Sequence, residues 1–256
     1  MVDLKKAVFQ RHSDALVVSL GGSMLFKPGT AAVDSDFVRK IAAIFEKTCS
    51  SGKKLVVVVG GGARAKKFAE KARAETGSEF FADREAIKAT RKNARVLQKV
   101  LGEKAFKKIV KSPDDAAAAI EGGGSEAAEG NGGKIVFCGG FLEGLTTDAC
   151  AVLVAERLGA LAVFNVSNVD GVYDSDPREN SSAKKFVEMT HTQLVELAAR
   201  SDSRMAKGRM HFVFDLVACK LAGRSNITIH FVDGRNLQQV EKALAGALHD
   251  GTVVKN

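Results

Sequence analysis

Short apolar runs alternate with amphipathic stretches along most of this 256-residue chain. The apolar runs are rich in β-branched residues and end in glycine or polar turns, a pattern typical of buried strands. We predict strands at residues 15–20, 55–59, 106–110, 135–138, 161–166, 184–189, 227–232 and 252–254, the last of them at the edge of the sheet.

Apolar residues between these runs recur with the helical period. We predict helices from a cap at Asp34 or Ser35 to residue 51, from residue 63, at 83–101 with Asp83 as N-cap, at 113–120, from 146, and at 190–199, 214–224 and 236–248. Strands that alternate with helices predict an α/β fold, here a three-layer α/β/α sandwich with a largely parallel central sheet.

No proline-rich linker divides the chain, so residues 1–256 are predicted to form a single domain. Residues 1–14 show no clear periodicity and are predicted to be a loose lead-in. Residues 121–133 are rich in glycine and acidic side chains, which predicts a flexible insertion without specific chemistry.

Two of the predicted strands end in glycine-rich turns. G-G-S follows the first strand at residues 21–23, and G-G-G follows the second at 60–62 and opens a helix that carries Arg64, Lys66 and Lys67. Such turns expose backbone N–H groups, and a helix N-terminus attracts phosphate through its dipole. A plain tight turn explains the first loop taken alone, and a solvated helix face explains Lys67 equally well. The repetition of this arrangement favours phosphate binding.

The stretch from residue 134 to residue 177 carries the densest set of ligand-binding groups. It reads as a strand, a glycine-rich turn at 139–148, a helix that opens at Thr146, a second strand and a polar loop at 167–177. In open parallel sheets such loops meet at the carboxyl ends of the strands, where ligands bind. Asp148 is placed either to bind Mg²⁺ or to orient the cations that hold phosphates. As an ordinary first-turn charge it would stabilise the helix by ~0.3–1 kcal/mol.

Composition and motifs exclude several classes of protein. The chain has neither G-x-x-x-x-G-K-[ST] nor G-x-G-x-x-G, and it has no serine in a G-x-S-x-G elbow. The five histidines are dispersed, which is typical of surface or packing residues. The four cysteines lack metal-ligand spacing and predict buried free thiols in a reducing compartment, the cytoplasm.

Charge and hydropathy point away from polymeric partners and membranes. The net charge of +8 is spread along the chain, which predicts a solvated surface with a few phosphate contacts and no nucleic-acid site. No apolar run is long enough to span a bilayer, and residues 1–14 lack a secretory signal. Phosphoryl transfer fits what remains, because its catalysis depends on positioning and charge stabilisation.

Four ordered segments resemble the amino-acid kinase superfamily and, within it, the uridylate (UMP) kinases of the archaeal type. They are V-S-L-G-G-S-M-L at 18–25, V-V-V-V-G-G-G-A-R-A-K-K-F at 56–68, A-T-R-K-N-A at 89–94, and G-G-F-L-E-G-L-T-T-D-A at 139–149 with N-V-D-G-V-Y-D-S-D-P at 168–177. The resemblance implies an α/β sandwich that transfers a phosphoryl group from ATP to UMP. It also implies Mg²⁺ as the escort of ATP, and a hexamer built from dimers.

The resemblance implies a role for each matching residue, and it assigns no residue as a metal ligand. Asp148 and Lys66 would be catalytic, with Asp148 organising the transferring phosphate. ATP would be bound by Gly21, Gly22, Ser23, Gly62, Lys66, Ser167, Asn168, Tyr173 and Asp176. UMP would be bound by Gly61, Asp83, Phe141, Leu142, Glu143, Gly144, Leu145, Thr146 and Thr147.

The chain departs from the family pattern at several of these places. Ser19 stands where many members have lysine, and Lys66 stands where arginine is usual. Phe141 and Leu145 replace a polar or aromatic pair, and Ala86 replaces a glycine near UMP. Without a lysine at position 19, a phosphate cation must come from Lys66, Lys207 or Arg209. Three hypotheses therefore stand: an ATP-dependent UMP kinase, a related kinase with a different acceptor, and a non-catalytic nucleotide-binding or storage homologue.

Overall fold

The computed structural model describes residues 14–122, 135–177, 179–205 and 214–256. Residues 1–13 of the predicted lead-in, residues 123–133 of the predicted insertion, Lys207 and Arg209 lie outside these ranges. Within them the strands are Ala15–Leu20 (β1), Lys54–Val59 (β2), Ala105–Val110 (β3), Ile135–Cys138 (β4), Ala162–Ser167 (β5), Glu188–Met189 (β6), Thr228–Asp233 (β7) and Thr252–Val254 (β8). The helices are Ser35–Ser50 (α1), Gly62–Thr76 (α2), Glu79–Leu101 (α3), Pro113–Glu121 (α4), Thr147–Leu158 (α5), His191–Met205 (α6), Leu216–Ser225 (α7) and Leu237–Leu244 (α8).

These strands form one eight-stranded sheet with the order β3-β4-β2-β1-β5-β7-β8-β6. Neighbouring strands are parallel, except that β7 and β8 run antiparallel. The predicted largely parallel sheet is therefore confirmed. The strand order reverses at β1, because β2 lies on one side of it and β5 on the other. Ligands bind at the carboxyl ends of the strands beside such a reversal.

Helices cover both faces of the sheet and make the predicted three layers. Helices α4 to α7 pack on one face, where they bury the β1 residue Val17. Helices α1, α3 and α8 pack on the other face and bury the next residue, Val18. Because both faces are buried, the strands of the parallel part read as continuous apolar runs. Any polar residue in such a run needs a partner inside the core.

Side-chain caps fix where several helices begin. The hydroxyl of Thr146 accepts the N–H of Ala149 at 3.1 Å, so the predicted helix start at this residue is confirmed. The carboxylate of Asp215 accepts the N–H of Ala218 at 3.0 Å and begins α7 in the same way. Such a cap typically stabilises a helix by ~1 kcal/mol.

Some predicted boundaries were wrong. Helix α3 begins after Ser78, so Asp83 lies within the helix and does not cap it. Helix α8 ends at Leu244, and the side chain of Leu248 is 95% exposed instead of extending the apolar face. Strand β8 is not at the edge, since it lies between β7 and β6. Helix α6 continues past residue 199 to Met205.

All four cysteines are free and buried, as the sequence predicts. In the described part of the chain, no helix combines the length and the apolarity that crossing a membrane requires.

Candidate active site

The two predicted glycine loops lie against each other at the carboxyl ends of β1 and β2. The N–H of Gly60 donates to the carbonyl of Leu20 at 2.8 Å. A methyl group at Gly22 would lie 2.1 Å from the carbonyl oxygen of Gly60, which is far inside van der Waals contact. Gly62 has a φ of +56°, and a methyl group there would lie 2.6 Å from the nitrogen of Ser23. Only glycine allows this approach of two backbones, and it brings together two turns of the kind that can bind phosphate through backbone N–H groups.

A side chain of α3 holds the second glycine loop, at residues 60–62. The buried amide of Asn93 donates to the carbonyls of Gly60 and Gly61 at 2.9 and 3.0 Å. Its oxygen accepts from Arg64 at 3.1 Å, and the Arg64 guanidinium lies 4.6 Å from the centre of the Phe26 ring. Asn93 therefore holds the second glycine loop against α3, and it also fixes the position of the Arg64 guanidinium. Lys66, the predicted cation, is exposed and has no ion pair with any residue in the described ranges.

Asp148 lies in the first turn of α5 and meets a polar pair on the sheet. The Ser19 hydroxyl donates to its Oδ1 at 2.7 Å, and the Asn165 amide donates to the same oxygen at 3.1 Å. The pKa of Asp148 is raised to about 7, mainly by burial and also by the nearby charge of Asp215, while the two hydrogen bonds oppose the rise. A buried carboxyl group with a raised pKa beside two glycine loops is a functional-site signal.

The turn at residues 139–147, which we call the α5 turn, is held by side chains of α3. The Thr90 hydroxyl accepts the N–H of Gly140 at 2.8 Å, and Arg91 donates to the Gly140 carbonyl at 2.9 Å. Further along, the Asp83 carboxylate accepts the N–H of Gly144 at 2.8 Å. Arg84 pairs with Glu143 at 3.1 Å. The turn is thus attached to α3 at Gly140 and again at Glu143 and Gly144.

The side chains of the α5 turn divide between core and solvent. Phe141 and Leu145 pack against the apolar core under α5, whereas Leu142 is 58% exposed. The hydroxyl of Thr147 lies 3.5 Å from where a methyl group on Gly60 would be, so it faces the glycine loops. The Thr146 hydroxyl donates to the carboxylate of Asp215 and ties the starts of α5 and α7 together.

The loop at residues 167–177, which we call the β5 loop, begins beside the first glycine loop. The N–H of Gly21 donates to the carbonyl of Val166 at 2.8 Å, and a methyl group at Gly21 would lie 3.6 Å from Ser167. The Tyr173 hydroxyl donates to Asp170 at 3.0 Å, and Lys185 pairs with the same carboxylate at 3.3 Å. These partners outweigh the effect of burial, and the pKa of Asp170 is lowered.

The far end of the β5 loop is fixed by backbone hydrogen bonds. The carbonyl of Asp176 accepts the N–H of Asn180 at 2.8 Å and closes a turn. The N–H of Val172 donates to the hydroxyl of Thr252 at 2.9 Å, which fastens the loop to β8. Asn168 follows β5 directly, at the same sheet end as the glycine loops.

The structure brings most of the predicted residues to one end of the sheet. Gly21, Gly22, Ser23, Gly61 and Gly62 adjoin one another, while Asp83 reaches the α5 turn from α3. The sequence reading gave no role to Asn165, Asn93 or Arg91. The signal for Asn165 was present, since it is the one polar residue within an otherwise apolar stretch of β5 at residues 162–166. Buried polar side chains in such strands are hydrogen-bonded to a partner.

Comparison with known proteins decides the family. A family model described as the amino acid kinase family matches residues 14–233. This chain belongs to the amino acid kinase family. The uridylate kinase of Thermococcus onnurineus is 37% identical over 240 residues, covering 94% of this chain and 99% of that protein. The uridylate kinase of Methanospirillum hungatei is 34% identical over 239 residues, covering 93% of this chain and 94% of that protein.

Two solved structures agree with the fold. The crystal structure of uridylate kinase from Archaeoglobus fulgidus has a TM-score of 0.74 and 33% identity, covering 93% of this chain and all of that chain (100%). The UMP kinase of Bacillus anthracis shares the fold with a TM-score of 0.71 at 21% identity, covering 94% of this chain and 96% of that chain.

Proposed function

We propose that this member of the amino acid kinase family transfers the γ-phosphoryl group of ATP to UMP and forms UDP and ADP. The observation that carries the proposal is the contact between the two glycine loops, with Thr147 and Asp148 of α5 beside them. Relatives of 34% and 37% identity over more than nine-tenths of the chain are uridylate kinases, which supports this choice of acceptor.

The geometry suits in-line transfer between two bound nucleotides. An oxygen of the UMP phosphate forms the new P–O bond while the bond between the γ-phosphorus and the bridging oxygen of ADP breaks. Catalysis of this step comes from positioning and charge stabilisation. Mg²⁺ belongs to the substrate in this scheme, because ATP arrives as its magnesium complex and the metal neutralises phosphate charge.

We assign ATP to the first glycine loop and the β5 loop. Backbone N–H groups at Gly22, Ser23 and Gly62 would hold its phosphates, and the β5 loop with Ser167, Asn168, Tyr173 and Asp176 would hold its adenosine. Lys66 is exposed on the next turn of α2 and is free to swing toward the phosphates. Lysine serves there as a point charge and lacks the bidentate fork of arginine.

We assign UMP to the second glycine loop and the α5 turn. Asp83 already accepts a hydrogen bond from Gly144, so its second oxygen is the one available to a ribose hydroxyl. The apolar side chains of Phe141 and Leu145 favour a second candidate, a related kinase with a different acceptor. The exposed side chain of Leu142 supports the same alternative, because it offers an apolar contact at the proposed acceptor site.

An acceptor panel tests the proposal. The purified full chain is assayed with MgATP and each of UMP, CMP, AMP, GMP, carbamate and N-acetylglutamate, with Asp148→Ala as the inactive control. We expect kcat/KM for UMP to exceed that of every other acceptor at least tenfold. A higher value for another acceptor would establish the second candidate. ATP binding without turnover of any acceptor would establish a non-catalytic homologue.

We further infer a homo-oligomer, a dimer or a hexamer, in the cytoplasm. The exposed rings of Phe80 (51%) and Phe81 (45%) at the start of α3 support a subunit contact there. The four free buried thiols support a reducing compartment. Light scattering after size-exclusion chromatography tests the oligomer, and a monomeric mass would contradict it.

A further inference from the structure

Ser19 and Asn165 form a polar pair inside an apolar sheet. They are direct register partners on the neighbouring parallel strands β1 and β5. Their flanking partners in the same row are Val58 on β2 and Phe231 on β7, both fully buried. Ser19 is 3% exposed and Asn165 is 4% exposed. Burying two polar side chains at this depth costs free energy unless they are hydrogen-bonded. Ser19 and Asn165 share one hydrogen-bond partner.

That partner is one oxygen of the Asp148 carboxyl group. Both donors meet at Oδ1, which fixes the orientation of the carboxyl and leaves Oδ2 without a hydrogen bond to any described residue. Neither donor carries a charge. Among the described residues, no cation acts on Asp148.

A phosphate group beside an ionised carboxylate is repelled, whereas a protonated carboxyl can donate a hydrogen bond to a phosphate oxygen. Two neutral donors stabilise the ionised form less than a lysine would. Bound phosphates carry negative charge and favour the protonated carboxyl further. The two neutral donors that meet Asp148 therefore suit a proton-bearing group.

We propose that Asp148 acts in its protonated form as a hydrogen-bond donor to the phosphoryl group being transferred, and that Ser19 and Asn165 are the positioning residues that hold it. This inference rests on the proposed phosphoryl transfer. Asp148 is the catalytic residue, because its Oδ2 is the atom that touches phosphate. Ser19 and Asn165 act through it.

The groups that face Asp148 are consistent with this role. Asp215, the cap of α7, lies close enough for its charge to disfavour ionisation of Asp148. The thiols of Cys150 on α5 and Cys219 on α7 also lie near Asp148, and burial raises the pKa of both, so they are uncharged at neutral pH. On β1 and β5 the facing groups are the neutral Ser19 and Asn165.

The Asn165 amide can serve both protonation states. Its nitrogen donates to the ionised carboxylate, and its oxygen is buried with no partner among the described residues. In the protonated acid the proton lies on Oδ2, so Oδ1 is the carbonyl oxygen and still accepts from the Asn165 amide. A leucine at this position has a similar volume but serves neither state.

The test is the dependence of kcat on pH for UMP phosphorylation between pH 6 and 9. We expect kcat of the wild-type protein to fall on the alkaline side. Ser19→Ala and Asn165→Leu each remove a donor to the ionised form, so the falling limb should move to higher pH by about half a unit or more. Ser19→Thr keeps the hydroxyl and should leave the limb in place. Substrate phosphates titrate identically in every variant, so these differences belong to the protein.

Asp148→Asn and Asp148→Ala complete the series. An asparagine amide still donates a hydrogen bond, so the asparagine variant should be at least tenfold faster than the alanine variant and should lose the alkaline limb. A wild-type kcat that rises through pH 7 would overturn the proposal, as would an asparagine variant as slow as alanine. A limb that stays in place in both Ser19→Ala and Asn165→Leu would overturn the positioning role.

A titration without substrate separates this inference from the proposed function. The chemical shift of the ¹³C-labelled Asp148 carboxyl should show a midpoint near neutral pH and move upward in Ser19→Ala. A midpoint below pH 5 would overturn the inference even in an active kinase. A wild-type protein that fails to phosphorylate UMP but titrates as expected would instead overturn the proposed function.

Discussion

The α5 turn and the β5 loop leave the same end of the sheet, but they are held in different ways. The α5 turn is attached to α3 through Asp83, Arg84, Thr90 and Arg91, side chains that lie far away in sequence. The β5 loop is held without α3, by the contacts of Asp170 with Tyr173 and Lys185 and by the hydrogen bond from Val172 to Thr252 of β8. One region is therefore positioned by α3 and the other by contacts that do not involve that helix.

This difference bears on the two proposed substrates. If the α5 turn binds the acceptor, then acceptor affinity depends on where α3 lies relative to the sheet. If the β5 loop binds ATP, then ATP affinity depends on contacts that do not involve α3. Substitutions on α3 should therefore change the two Michaelis constants unequally.

The largest effect is expected where the two regions meet. Gly22→Ala would place a methyl group 2.1 Å from the Gly60 carbonyl and force the glycine loops apart. We expect the free energy of unfolding to fall by about 3 kcal/mol, the upper range for overpacking. Gly21→Ala is the matched control, since its methyl group would have its nearest contact at 3.5 Å. Urea unfolding measures both, and equal stabilities would contradict this account of the loops.

The next effect concerns Asp148 and pH. Its pKa in the folded protein is raised from an ordinary value of 3.8 to about 7. The stability associated with the protonated group is complete below pH 3.8 and is lost as the pH rises through 7. Asparagine does not ionise, so Asp148→Asn does not lose this stability. Between pH 5 and pH 8 the free energy of unfolding of the variant should therefore rise by about 2 kcal/mol relative to that of wild type, after allowance for partial solvation. Urea unfolding at the two pH values checks it, and a constant difference would contradict the raised pKa.

A smaller effect separates the α5 turn from the β5 loop directly. Asp83→Ala removes the acceptor of the Gly144 N–H, and we expect KM for UMP to rise about tenfold with KM for ATP changed less than twofold. Asp83→Asn keeps a carbonyl acceptor, so its KM for UMP should lie between those of the wild-type protein and Asp83→Ala. Steady-state kinetics with each substrate varied in turn provides the measurement.

Asp170→Ala is the matched change in the β5 loop. It removes the partner of Tyr173 and Lys185, and it should raise KM for ATP about threefold while KM for UMP stays within twofold. A rise of the same size in both Michaelis constants, for either aspartate, would show that the two regions are not separate binding sites.

The smallest effect is expected at the exposed pair of Arg84 and Glu143. The Arg84 side chain is 47% exposed, and surface pairs contribute little. Arg84→Met should raise KM for UMP less than threefold, and Glu143→Gln should act no more than additively with it. A loss larger than that of Asp83→Ala would mean that this ion pair, and not the hydrogen bond to Gly144, positions the turn.

Local signals in the sequence were enough for much of the fold. The apolar runs predicted β1 and β4 with the observed boundaries, and Thr146 predicted the start of α5. These features depend on residues next to one another in the chain. The start of α3 was not predictable in this way, because Phe80 and Phe81 are exposed and interrupt the apolar period. The left-handed Gly77 ends α2, and only Ser78 separates this glycine from the first residue of α3.

The candidate site was predictable as loops but not as contacts. Glycine turns after strands indicated phosphate binding, and the structure brings those turns together. The partnership of Asp148 with Ser19 depends on residues 129 positions apart, so no local pattern contains it. The position of Arg64 depends likewise on Asn93 of another helix.

The central claim is that this site binds ATP and UMP together and transfers a phosphoryl group from one to the other. The most direct measurement follows ATP, UMP and their products by ³¹P NMR in one reaction with Mg²⁺ and the full chain. The account predicts that UDP and ADP appear in equal amounts while inorganic phosphate stays absent. ADP with inorganic phosphate and no UDP, or unchanged ATP in the presence of UMP, would contradict it.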